Sequence, residues 1–327
     1  MNSWIPGRAL LKKHYFSALI ATGADKRQLA LLKQKNLVPI LSLHRVTDIE
    51  NNFWSPLKPQ LFDQLLGYLT KNFELVRFSE LQKQTKLPKA ILSFDDGCLD
   101  FYEIAVPILK KYGLPANINI IPSVVLGESI PWHAELFDFL QFAPDKYVEK
   151  ISLDSFSMKL NRSSRTQKAQ YGEKISRFLK NRPRSERIKL WGPIAKLIQD
   201  WKATKERPRL FMNLEEVRRI QNDHEIGAHS YTHESMAFES TDFFQKDFAR
   251  CQQFFRDTLQ QKLAIYAFPN GSYREEQLSY LLENQVEAVL LVEEAFTQAK
   301  GAVHKRITLS ADSFDTLKLQ ALGYLVR

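Results

Sequence analysis

Two stretches hold residues whose type and spacing could do chemistry: LSFDDGC at 92–98 and HSYTH at 229–233. Asp95 and Asp96 are adjacent carboxylates at the end of an apolar run, and like charges side by side repel, so something must hold them there. In HSYTH, His229 and His233 lie four apart, and on a helical turn both imidazoles would converge on one point. Two histidines and a carboxylate, with positions left open, suit a catalytic divalent cation; Zn2+ and Fe2+ both accept that set. A cation beside Asp96 would offset the repulsion and keep Asp96 ionised as a ligand. Asp95, left unligated, could then act as general base toward an activated water. The plainer readings are an aspartate that caps the next helix and an accidental His-x-x-x-His on a surface helix.

The elements that must position these groups alternate. LVPILSL (37–43), AILSF (90–94), PANINII (115–121), EIGAH (225–229), LAIYAF (263–268), EAVLLV (287–292) and VHKRITL (303–309) read as seven strands. Helical patterns separate several of them, such as the one with Leu61, Leu65, Leu66 and Leu69 on one face and the one that Gly113 stops. Strand–helix alternation predicts a parallel sheet, open or closed into a barrel, with functional groups at the carboxyl ends of strands. His44, the Asp95–Asp96 pair, His229 and the PNGSY turn end four different strands, which is that pattern. Residues of about 134–212 break the rhythm with helical, base-rich sequence and read as an insertion over one rim of the sheet. Its basic run, Arg162 to Lys189, is either a solvated face or a hold on an anionic substrate.

The motifs carry a resemblance. LSFDDG is similar to the first motif of the polysaccharide deacetylases (NodB-homology, carbohydrate esterase family 4), and HSYTH is similar to their second. YAFPNGSY (266–273) resembles the third in part. The resemblance spans roughly residues 37–309 and implies a distorted (β/α)7 barrel with a helical insertion. It implies Asp95 as base, Asp96, His229 and His233 as ligands of a divalent metal, usually zinc, and the backbone N–H of Asn270 as an oxyanion donor. The arginine that the third motif normally carries before Pro269 is missing, and Arg306 in VHKRITL could orient Asp95 in its place. The family's L-x-H near the C-terminus is missing too. In a circularly permuted subset that histidine lies on the N-terminal strand, which makes His44 of LSLHRV the general acid by position. Trp132 in IPWHAEL could wall the sugar site, and Cys98 reads as a small buried hydrophobe.

The totals set outer bounds. Lys and Arg number 46 against 37 Asp and Glu, an excess that favours an anionic partner or simply makes a basic surface. Two cysteines, Cys98 and Cys251, are too few for a disulfide framework and are compatible with a reducing compartment. No apolar stretch approaches the roughly 20 residues that span a bilayer. Residues 1–36 read as a basic helical arm able to lie on a membrane surface, ahead of a deacetylase barrel over 37–327. The expected function is N-deacetylation of an N-acetylated sugar in an envelope glycan or a polyprenyl-phosphate-linked precursor, in the cytoplasm or at the inner face of the membrane. The alternatives are a deformylase or O-acetyl esterase on a related sugar, and a non-catalytic glycan-binding relative. Nucleic-acid binding has only the charge in its favour, with no recognised motif.

Overall fold

Runs that are apolar at nearly every position have no face to give to water and must be covered on both sides. A computed structural model of the chain describes residues 22–50, 53, 55–153, 156–157, 165–202 and 208–324. In it the seven expected runs form seven strands: Ile40–Leu43 (β1), Lys89–Phe94 (β2), Asn117–Ile120 (β3), Glu225–Ala228 (β4), Ile265–Ala267 (β5), Ala288–Glu294 (β6) and Val303–Thr308 (β7). Every neighbour pairs in parallel, in the order β1-β7-β6-β5-β4-β3-β2, and β2 pairs back onto β1 to close a barrel. The fold is therefore the (β/α)7 barrel that the family resemblance implies, the closed one of the two arrangements that the strand–helix alternation left open.

Two details differ from the sequence reading. The run 37–43 is two strands, because Pro39 has no N–H to give to a ladder. Leu37–Val38 instead pairs antiparallel with Thr297–Gln298, while β1 enters the barrel. A short strand, Glu74–Leu75, adds in parallel to the start of β2 outside the ring.

The helices cover the barrel as their apolar faces require. Ala24–Gln34 (α1) buries Leu32 and is fastened by Lys318 to Asp25 (2.6 Å) and by the Tyr324 hydroxyl to the Ala24 carbonyl (2.6 Å). Residues 1–21 of the expected N-terminal arm lie outside the described residues. Pro59–Asn72 (α2) starts with a proline, whose missing N–H costs nothing at that position, and buries Phe62, Leu65, Leu66 and Leu69. Between β3 and β4, Trp132–Phe142 (α3), Arg165–Lys180 (α4) and Arg184–Lys202 (α5) enclose a core of their own, including Leu136, Phe139, Leu179, Trp191 and Trp201. Thr241–Asp257 (α6) follows β4, with the Ser240 hydroxyl accepting from the Phe243 amide at its start. No helix among the described residues is long and apolar enough to cross a membrane.

The barrel interior ties the fold to the site. Gly227 on β4 leaves no space for a side chain: a Cβ there would stand 2.2 Å from the Asn119 Oδ1 and 3.0 Å from the Ile265 Cβ. Gly227→Ala is expected to destabilise the protein by about 1–3 kcal/mol through overpacking. It should also displace Asn119, whose amide holds Asp95. Denaturant unfolding checks the first effect, and unfolding at wild-type stability would contradict it.

Candidate active site

The carboxylates leave β2 in opposite directions because the backbone turns between them. Asp95 continues the ladder, its amide donating to the Leu43 carbonyl at 3.0 Å. Asp96 then takes a left-handed φ of 73°, which Asp tolerates better than most residues, and Gly97 follows at 69°. The two side chains consequently have separate partners.

Asp95 is 3% exposed and held by Arg306 through two parallel bonds, Nη1 to Oδ1 at 2.9 Å and Nη2 to Oδ2 at 2.8 Å. The Arg306 Nε donates to the Leu291 carbonyl at 3.1 Å, so the guanidinium is fixed as well as charged. Asn119 Nδ2 donates to Asp95 Oδ1 at 2.8 Å, Asn117 Nδ2 donates to the Asn119 Oδ1 at 3.1 Å, and the Ser93 hydroxyl donates to the Asn117 Oδ1 at 2.7 Å. Burial pushes the Asp95 carboxyl up; Arg306 and then His229 and His44 outweigh it and hold the carboxyl below the usual range. His44, at the end of β1, places its Nε2 3.9 Å from Asp95 Oδ2. Arg306 thus stands where the sequence reading placed it.

Asp96 faces the histidines. Its Oδ1 is 3.6 Å from His229 Nε2 and 3.3 Å from His233 Nε2. The expectation of a helical turn under HSYTH fails. His229 ends β4, and the chain leaves it in a loop with Ser230 at φ 58° and His233 at φ 62°. Convergence therefore comes from two left-handed residues, braced by Asp247 on α6, which accepts from the Tyr231 amide (2.9 Å) and the Ser230 hydroxyl (3.2 Å). Glu234, next in the chain, is bound by buried Arg187 and by Arg184 (3.2 Å), both on α5.

These residues fit a divalent ion. One donor atom each from Asp96, His229 and His233 lies within 4.8 Å of the others. His229 Nδ1 is 2.9 Å from the Ala267 carbonyl, which can only accept, so Nδ1 carries the proton and Nε2 keeps its lone pair toward Asp96. Burial, foremost, lowers the His229 pKa to about 4, which keeps that imidazole neutral at ordinary pH. Asp96 is held well below the carboxylate range: burial opposes ionisation, and His233, His44 and His229 outweigh it.

Asn270 lies in the turn after β5 at φ 58°, its side-chain Nδ2 donating to the Ser235 hydroxyl at 3.1 Å. All seven predicted residues line one cavity of about 890 Å3 at the carboxyl end of the barrel. Trp132 does not: it is buried against Trp191 and Arg187 in the insertion core. Its neighbour on α3, one helical step around, lines the cavity instead. This is His133, with its ring 4.6 Å from that of His233. Lys180, one of the basic run for which the sequence left a solvated face or an anion hold open, lines the cavity too. Sequence reasoning missed His133, Asn119 and Asp247; the adjacency of His133 to the aromatic Trp132 was a signal that could have been followed, whereas the other two carry none.

The pair and the brace give two expectations. Arg306→Ala should cost about 3–5 kcal/mol, since it leaves a buried carboxylate uncompensated. Arg306→Lys, which keeps charge but loses the fork, should fall between. Equal unfolding midpoints for all three proteins would refute the pairing. Asp247 is raised to about 7, chiefly by burial. Its folded pKa exceeds the unfolded value of about 3.9, so the native state binds the extra proton and stability falls as pH rises from about 4 to about 7. Asp247→Asn should remove that slope in denaturation of the metal-free protein, and an unchanged slope would refute the assignment.

A family model described as polysaccharide deacetylase matches residues 195–289, a segment that contains the histidine loop and the Pro269–Gly271 turn. No curated protein shows significant similarity to the chain. Among solved structures, the deacetylase PplD of Streptococcus pyogenes, in complex with acetate, is 16% identical with a TM-score of 0.56, over 88% of this chain and 98% of that one. IcaB from Ammonifex degensii is 15% identical with a TM-score of 0.54, over 88% and 97%. BC0361, a polysaccharide deacetylase from Bacillus cereus, is 10% identical with a TM-score of 0.55, over 88% and 69%. The matched segment carries the histidine loop and the Pro269–Gly271 turn of this site, and the barrel that positions them is the fold these deacetylase structures share.

Proposed function

We propose that the protein is a metal-dependent N-deacetylase that hydrolyses the acetamido group of an N-acetylated sugar in an envelope glycan or a lipid-linked glycan precursor. The observation that carries this reading is the division of labour between adjacent aspartates. Asp95 is locked to Arg306 and turned away from the donor set, while Asp96 is turned into it with His229 and His233. A glycan-binding relative would need only a cavity, with no reason to hold a base and a ligand set apart in this way.

A divalent ion, Zn2+ by the family resemblance, would be held by Asp96, His229 and His233 and would polarise the acetamido carbonyl and acidify a water. Asp95, held by Arg306, orients that water and accepts its proton. The Asn270 N–H, in the turn above the cavity, donates to the oxygen that becomes negative. His44, 3.9 Å from Asp95, delivers a proton to the departing amine. The products are acetate and a free amino sugar.

Support for the lipid-linked form comes from the basic balance of the chain, which suits an anionic membrane surface and a location at its cytoplasmic face. The acetate in the PplD structure fits the same product.

Purified protein is expected to contain about one zinc or similar ion per chain by elemental analysis, and His229→Ala to lose it. The loaded protein should release acetate from N-acetylated oligosaccharides or carrier-linked sugars, and the same sugars bearing formyl or O-acetyl groups show whether another acyl group is preferred. Absence of metal after reconstitution, with no release from any of these, would sink the hydrolase reading.

A further inference from the structure

The charged side chains lining the cavity can be paired off. Asp95 is bound to Arg306, and Glu173 to Arg177 at 2.6 Å. Asp96 faces the two imidazoles that would share a cation with it. One charge is left over. Lys180, the last residue of α4, lines the cavity and has no hydrogen bond or ion pair among the described residues.

Lys180 is also not a loose surface lysine. Its helix is seated tightly: a Cβ on Gly172 would stand 2.4 Å from the Phe53 ring and 2.9 Å from Leu140, and Ile175 and Leu179 are buried in the insertion core. Burial lowers the Lys180 pKa, and the charge on Asp96 partly opposes that. Once a dication neutralises Asp96, this last attraction disappears, and the ammonium stands half-buried beside a net positive centre. His133, which lines the same cavity, is buried with its Nδ1 unpartnered among the described residues. A half-buried cation and an imidazole without a hydrogen bond, both bordering one cavity, lack a ligand with negative charge and acceptor oxygens.

We propose that Lys180 forms an anion-recognising subsite beside the catalytic centre, so that the preferred substrate carries a phosphate or carboxylate on, or next to, the N-acetylated sugar. The anion would accept from the ammonium, with His133 completing the wall. The inference rests on the deacetylase reading for the sugar, but not for the anion.

The metal-loaded enzyme tests it with three substrates: N-acetylglucosamine 1-phosphate, an N-acetylated disaccharide containing a uronic acid, and neutral di-N-acetylchitobiose. A charge-assisted hydrogen bond should favour one of the anionic substrates over the neutral one by at least about tenfold in kcat/KM. K180M should erase that preference through KM, and K180R should restore most of it. The substrate that responds tells phosphate from carboxylate. No preference in the wild type, an unmoved ratio in K180M, or an equal fall in kcat on all three would overturn the subsite.

Binding separates this from failure of the deacetylase reading. Calorimetry on the metal-loaded protein compares glucose 1-phosphate and glucuronic acid with methyl glucoside, none of which has an acetamide. Anion-dependent binding that K180M abolishes would uphold the subsite even if no N-acetyl sugar were hydrolysed. Equal binding of the charged and neutral sugars would overturn it.

Discussion

The site depends on one buried ion pair, Asp95 with Arg306. Both side chains are 2–3% exposed, so each would be heavily penalised alone. Together they satisfy one another in the geometry that a planar guanidinium and a carboxylate share, and Leu291, Ser93 and Asn119 take up donors and acceptors that remain. The pair also explains why the barrel must close. Arg306 lies on β7 and Asp95 just after β2, 211 residues apart, and β1 between them is the strand whose pairing completes the ring. A carboxylate fixed from below in this way has one direction left in which to meet water, toward the cavity.

A second constraint acts on the other half of the site. The histidine loop uses two left-handed residues, an arrangement that costs energy and persists only when its surroundings hold it. Those surroundings come from two places. Asp247 binds the loop from α6, and the arginines of α5 bind Glu234 at its far end. The helical insertion is therefore part of the support for the donor set as well as a roof over the cavity. It contributes His133 and Lys180 to the walls from α3 and α4.

The candidate groups were legible in the sequence because two motifs support each other. A DDG alone reads as a helix cap and an HxxxH alone as an accident, but together, each after a buried strand, they supply a ligand set, and each strand marked itself by a largely apolar run. Even Arg306 could be singled out, since a charge inside an apolar strand must find an opposite charge. The backbone under HSYTH was misread because a spacing of four is equally compatible with a helical turn and with a loop whose φ angles are held by distant groups, Asp247 on α6 and the arginines of α5. Trp132 was preferred over His133 for a related reason: adjacent residues on a helix face different ways, and which one faces the cavity depends on how α3 docks.

The sequence by itself marked the seven strands, their order along the chain and the polar residues at their carboxyl ends, because apolar runs and residue chemistry are local properties; closure into a barrel was implied only by the family resemblance. Only the tertiary structure decided which groups meet. Asn119 reaches Asp95 across neighbouring strands, Asp247 reaches back to the histidine loop, and Lys180 arrives from an insertion whose register no periodicity encodes. Those contacts are set by the closure of the ring and the packing of helices upon it, which are properties of the whole chain folded at once.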